Sequence, residues 1–168
     1  MDTTLCTIGF AGKTAEQFFA LLTQAGVKKL IDIRENRGGQ LSGFAKYPDL
    51  AFFLRCIAGI AYSHEPRLAP SPEIRKAYRT TKDWAMYEAS FLQLMRDRDI
   101  PKSLEPLELD DTTALLCSEP GPEKCHRRLV AELFAEHLRG QGHVVAVRHL
   151  AIEKPSRPGR RKEKRPAP

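Results

Sequence analysis

A strand that returns beside its neighbour through a single capped helix constrains this chain more than any other feature of its sequence. Thr4-Leu5-Cys6-Thr7-Ile8 is apolar and β-branched, and Gly9 to Gly12 break it, so it reads as a buried strand and a turn. Thr14 with Gln17 three residues on has the form of a capping box, opening a helix over Ala15 to Ala25 whose core face is Phe18, Leu21, Leu22 and Ala25. Gly26 stops that helix, and Val27 to Ile33 begins a second strand. A connection this short brings the second strand back parallel to the first. Gly12-Lys13-Thr14 is not a phosphate loop, because Thr7 stands where that pattern needs a glycine.

The alternation continues. Asp49 to Ala58 reads as a helix stopped by Gly59, and Ile60 to His64 as a third strand. Ser71 is an N-cap with Pro72 in the first helical position, followed by helices over Glu73 to Tyr78 and Asp83 to Arg96. In the second of these, Trp84, Tyr87, Phe91 and Leu94 recur at core spacing. Ile100 to Asp111 is a Pro-broken connector, Thr112 to Ser118 a fourth strand, and His143 to Leu150 a fifth. The order predicts a three-layer α/β fold with a mostly parallel five-stranded sheet flanked by helices.

Composition limits what such a fold can do. A length of 168 residues suits one domain, expected over 1–152, and 42% hydrophobic content supplies its core. The net charge of +6 is concentrated in 153–168, where seven basic side chains meet two acidic ones; the body keeps only +1. That segment is expected to be a disordered, Pro-rich tail, and Arg160, Arg161, Lys162, Lys164 and Arg165 are its candidate nucleic-acid contacts. No leader or membrane span is apparent, and cysteines at only 6, 56, 117 and 125 suit reduced thiols, so a cytoplasmic location is expected. Cys6 and Cys56 read as core.

The chemistry concentrates between the fourth strand and the helix after it. Leu115-Leu116-Cys117-Ser118-Glu119 ends on a thiol and a carboxylate, a Pro/Gly turn follows, and Cys125-His126-Arg127-Arg128 opens a segment apolar at helical spacing from Leu129 to Leu138. Ligands of parallel sheets bind beyond the carboxyl ends of the strands, and a helix N-terminus there attracts anions and lowers thiol pKa values. Asp32 and Arg34 leave the second strand on the same edge, beside a long glycine-rich loop over 36–46.

Read together, Thr7-Ile8-Gly9, Asp32-x-Arg34, Gly43-Phe44, Gly59-Ile60-x-Tyr62-x-His64 with Leu68-Ala69-Pro70, Leu115-Leu116-Cys117-x-Glu119 and Cys125-His126-Arg127 resemble the domain of unknown function 488 family, over roughly 4–150. The resemblance implies a site made of Asp32, Arg34, His64, Cys117, Glu119, Cys125, His126 and Arg127. Many members carry Pro and Ser before the Gly-Phe pair where this chain has Gly38 and Gly39, so no role passes to that hydroxyl.

Several chemistries fit these residues. In an enzyme, Cys117, Glu119, Cys125 and His126 carry catalysis while Asp32, Arg34, His64 and Arg127 hold an anionic, phosphate-bearing or nucleic-acid-related substrate. A cysteine-phosphatase loop is excluded, because Glu123 stands six residues after Cys117 where that loop needs Arg. No cofactor is expected; a metal on Cys117, Glu119, Cys125 and His126, completed by His64 or His149, is the alternative. A non-catalytic module binding nucleic acid through its tail is another. The plainest arrangement buries Cys117 as a small hydrophobe and pairs Glu119 with Arg127 or Arg34.

Overall fold

The computed structural model describes residues 2–38, 42–104 and 112–152. Five strands, β1 (Asp2–Gly9), β2 (Lys29–Asp32), β3 (Ala61–His64), β4 (Thr112–Cys117) and β5 (Val144–Leu150), form one parallel sheet in the order β3-β2-β4-β1-β5. The helices are α1 (Ala15–Gln24), α2 (Asp49–Phe53), α3 (Pro72–Thr81), α4 (Trp84–Asp97) and α5 (His126–Gly140). This is the three-layer α/β fold the alternation predicts.

The chain crosses from β1 to β2 in one direction along the sheet and from β4 to β5 in the other, so right-handed crossovers put their helices on opposite faces. On one face Phe18, Phe19 and Leu22 of α1 and Leu50 of α2 pack on Cys6, Ile8, Leu30, Ala114 and Leu116. On the other, Phe91 and Met95 of α4 and Leu129, Val130 and Phe134 of α5 pack on Leu5, Ile31, Leu115 and Cys117. Each fully buried Leu, Ile or Phe contributes about 2–3 kcal/mol of transfer free energy. Alternation along β4 therefore aims Cys117 at the α4/α5 layer.

Local signals act as read. Thr14 Oγ1 accepts from the Gln17 N–H while the Gln17 side chain accepts from the Thr14 N–H, closing the capping box that Gly12-Lys13-Thr14 belongs to. Ser71 caps α3 and Pro72 opens it. Gly59 takes a left-handed φ of 64°, as a stop residue does.

Other details differ from the sequence reading. The helix expected over Asp49 to Ala58 is α-helical only to Phe53 and closes in a wider π turn over Leu54–Ala58. Arg55, Cys56 and Ile57 face solvent on that turn, so Cys56 is exposed rather than core. Helix α3 runs on to Thr81 because nothing stops it until Lys82 turns left-handed. In α4 the buried face is Tyr87, Phe91 and Met95, with Leu94 half-buried beside it. Among the described residues no helix is long and apolar enough to cross a membrane.

Candidate functional site

Parallel pairing sets Gly9 of β1 beside Cys117 of β4, and the chain then leaves β4 through Ser118-Glu119-Pro120. The Ala11 N–H donates to the Ser118 carbonyl at 3.1 Å, tying the two strand ends together. A β-carbon on Gly9 would lie 1.6 Å from the Glu119 carbonyl oxygen and 2.7 Å from Arg127 Nη1. Glycine is required there by this close approach.

Arg127, on the first turn of α5, reaches back under that loop and is only 1% exposed. Its Nη1 donates to Cys117 Sγ at 2.9 Å and to the Glu119 carbonyl at 2.5 Å, and lies 3.7 Å from Cys125 Sγ. Nη2 donates to the Pro120 carbonyl at 3.4 Å, and Nε to Thr7 Oγ1 at 3.3 Å. The Thr7 hydroxyl is in turn 2.8 Å from His149 Nδ1. No carboxylate among the described residues pairs with Arg127. A buried guanidinium keeps its charge at any accessible pH, and desolvating it costs several kcal/mol unless an anion answers it. The nearest group that can be that anion is Cys117.

Cys117 Sγ is 2.9 Å from Cys125 Sγ. Burial pushes the Cys117 thiol up, but donation from Cys125, the Arg127 charge and hydrogen bond, and the Glu119 backbone N–H outweigh it and hold the thiol below its ordinary value. Cys125 moves the other way: its bond to Cys117, burial and the adjacent Cys117 charge keep it protonated. Cys125 is also the N-cap of α5, so the positive end of that helix dipole lies beside both sulfurs. The two shifts oppose each other, so of the two sulfurs Cys117 is the one favoured to carry a negative charge and Cys125 the one favoured to keep its proton.

His126 is half-buried, its ring 5.8 Å from that of Phe91 and its Nε2 donating to the Ile33 carbonyl at 3.4 Å. Burial lowers its pKa to about 4, against the bond to Ile33, and the charges of Arg127 and Arg75 lower it further. The ring is neutral at neutral pH, and Nδ1 faces Cys125 Sγ at 3.9 Å. The Glu119 side chain is exposed at the rim; its backbone, not its carboxylate, meets Arg127.

Asp32, Arg34 and His64 form a second assembly on the same edge. Arg34 donates through Nε and Nη2 to the two Asp32 carboxylate oxygens at 2.8 and 2.7 Å, and Tyr62 donates to Asp32 Oδ2 at 2.9 Å. Arg34 Nη2 also reaches the Ala45 carbonyl, and His64 Nε2 donates to the Arg34 carbonyl at 2.8 Å. The pair is buried, and it fixes the start of the glycine-rich loop.

Both assemblies border one cavity of about 440 Å³. Cys117, Cys125 and His126 line its inner end together with Tyr87; Arg34, Arg75, Arg79, Lys82 and Lys124 give it five basic side chains against Glu35 and Glu119. Arg75 pairs with Glu35, whereas Arg79, Lys82 and Lys124 have no ion-pair partner among the described residues. The sequence reading passed over these three. Arg75 and Arg79 stand at i and i+4 on α3, a basic pair legible in the sequence, and Lys82 follows as the left-handed residue that ends the helix. Thr7 belongs to the Thr7-Ile8-Gly9 motif at the end of β1, but no local pattern marks its hydroxyl as one that meets Arg127 across 120 residues.

The remaining expectations place simply. Among the described residues no three His, Cys, Asp or Glu side chains converge as a metal site. The candidate nucleic-acid contacts at Arg160, Arg161, Lys162, Lys164 and Arg165 lie outside the described residues.

The model of the family described as domain of unknown function DUF488 matches residues 14–134, a stretch holding every residue of the site except Thr7, Gly9 and His149. No curated protein and no solved structure matches the chain.

Proposed function

This chain belongs to the DUF488 family, and from that premise we propose that it is a thiol-dependent enzyme acting on a small phosphate- or carboxylate-bearing substrate. The observation that carries the reading, in which Cys117 is a thiolate, is the buried Arg127 guanidinium: no carboxylate among the described residues pairs with it, and the nearer of the two sulfurs beside it is that of Cys117 at 2.9 Å. A thiolate is far more nucleophilic than a thiol, and an ordinary cysteine is only a few per cent ionised at pH 7. Arg79, Lys82 and Lys124 hold the anionic group of the substrate at the mouth of the cavity. The Cys117 Sγ lone pair then forms a bond to the electrophilic centre, and the leaving group departs with its bonding pair and takes a proton from water. Positioning falls to Asp32, Arg34 and His64, which hold the loop on one side of the cavity.

Competing alkylation tests this without knowledge of the natural substrate. Free thiolates react more slowly with anionic iodoacetate than with neutral iodoacetamide. In this protein the basic cavity reverses the order at Cys117, and a Lys82→Glu, Lys124→Glu double variant restores it. An unreactive Cys117 at neutral pH, or the ordinary order in the wild-type protein, defeats the reading.

A further inference from the structure

We propose that Cys117 and Cys125 are a dithiol–disulfide couple through which this cavity reduces small hydroperoxides. The inference rests on Cys117 being the thiolate described above, and adds a second reactant, the hydroperoxide, and a second working residue, Cys125.

Geometry carries it. The two sulfurs lie 2.9 Å apart although eight residues separate them in the chain. A disulfide needs about 2.05 Å, so closure brings the two sulfurs less than about 1 Å nearer to each other. Both sulfurs line the cavity and are otherwise almost fully buried, so a reactant reaches them through that cavity. Cys6 and Cys56 lie elsewhere, one among the core residues on the α1 face of the sheet and the other on the surface.

The chemistry balances in two steps. The Cys117 thiolate attacks the distal oxygen of a hydroperoxide, the O–O bond breaks, and the departing alkoxide takes a proton from water to leave as an alcohol. Cys117 is now a sulfenic acid, its sulfur still beside Arg127 Nη1 and the Glu119 N–H. The Cys125 sulfur then attacks Cys117 Sγ, 2.9 Å away, while the Cys125 proton passes to the departing hydroxyl; water leaves and the disulfide forms. An external dithiol returns both electrons. Oxidation removes the anion that answers Arg127, so the disulfide is an easily reduced one.

The test uses full-length Cys56→Ser protein, so that the exposed thiol cannot cross-link molecules. Hydrogen peroxide is expected to lower the free-thiol count by two and to yield a Cys117-to-Cys125 cross-linked peptide, which dithiothreitol removes. A further Cys125→Ser change stops the reaction at a Cys117 sulfenic acid that dimedone traps, and peroxide consumption with dithiothreitol falls at least about tenfold. Circular dichroism confirms that each variant is folded. If Cys117 alkylates rapidly at neutral pH but peroxide gives only sulfinic acid, or no cross-link, the couple is wrong and the thiolate reading survives. If Cys117 does not alkylate, both fail together.

Discussion

Two arginines are buried on one edge of this sheet, and they are answered differently. Arg34, 7% exposed, meets a fully buried carboxylate two residues away in a two-bond fork. Arg127, 1% exposed, meets carbonyls, a hydroxyl and a thiol. The first assembly is charge-neutral as built and has no need of a ligand. The second is neutral only if a sulfur gives up its proton. Buried charge of one sign, answered by a group with adjustable protonation, is where reactivity collects.

The largest effects separate the two arginines. Arg34→Met and Arg127→Met each leave buried groups unanswered and are expected to lower stability by about 3–5 kcal/mol in urea unfolding. They differ in chemistry: Cys117 alkylation at neutral pH slows at least about tenfold in Arg127→Met and is unchanged in Arg34→Met. Equal slowing in both would erase the distinction.

Next in size is the contrast between two glycines. Gly9→Ala drives a β-carbon into the Glu119 carbonyl and is expected to cost about 3 kcal/mol while also slowing alkylation of Cys117. Gly59→Ala meets nothing within 4 Å and strains only a left-handed φ of 64°, about 1 kcal/mol, with reactivity intact. Denaturant midpoints and alkylation rates read both.

The thiol assembly also responds to acid. His126 has its folded pKa lowered from 6.5 to about 4, so as pH falls below 6.5 the unfolded chain takes up a proton that the folded chain refuses, and stability drops by about 3 kcal/mol by pH 4. The lowered Cys117 pKa acts in the same sense: its contribution is complete above the ordinary thiol range and is lost as pH falls through the folded value. Between pH 4 and neutrality the stability of the reduced protein therefore rises with pH, and His126→Phe flattens the His126 part of the curve; above the ordinary thiol range the raised Cys125 and Cys6 values act in the opposite sense. The smallest effect belongs to Cys56→Ser, exposed on the π turn: within about 0.5 kcal/mol, with alkylation of Cys117 untouched.

Much of this was legible in the chain. Alternating strand and helix signals, Thr14/Gln17, Gly59 and Ser71-Pro72 act locally, so they mark elements in the sequence as they do in the fold. The concentration of Cys117, Cys125, His126 and Arg127 was also visible, because parallel strands put their carboxyl ends on one edge. What could not be read is long-range and three-dimensional. That Arg127 turns inward rather than toward a ligand depends on Thr7 and Gly9, on a strand far away in sequence. That Cys56 faces out depends on a wider helical turn that no residue type announces.

The most direct measurement is the ultraviolet thiolate absorbance of the reduced protein minus that of Cys117→Ser, followed across pH. Burial pushes Tyr62 up to about 12, and burial likewise raises Tyr87 and Cys6, so these groups stay silent near neutrality. The account predicts one thiolate already present at neutral pH and lost only on acidification. A difference signal that appears at or above the ordinary thiol pKa of about 8.5 would leave Arg127 without an anion and contradict it.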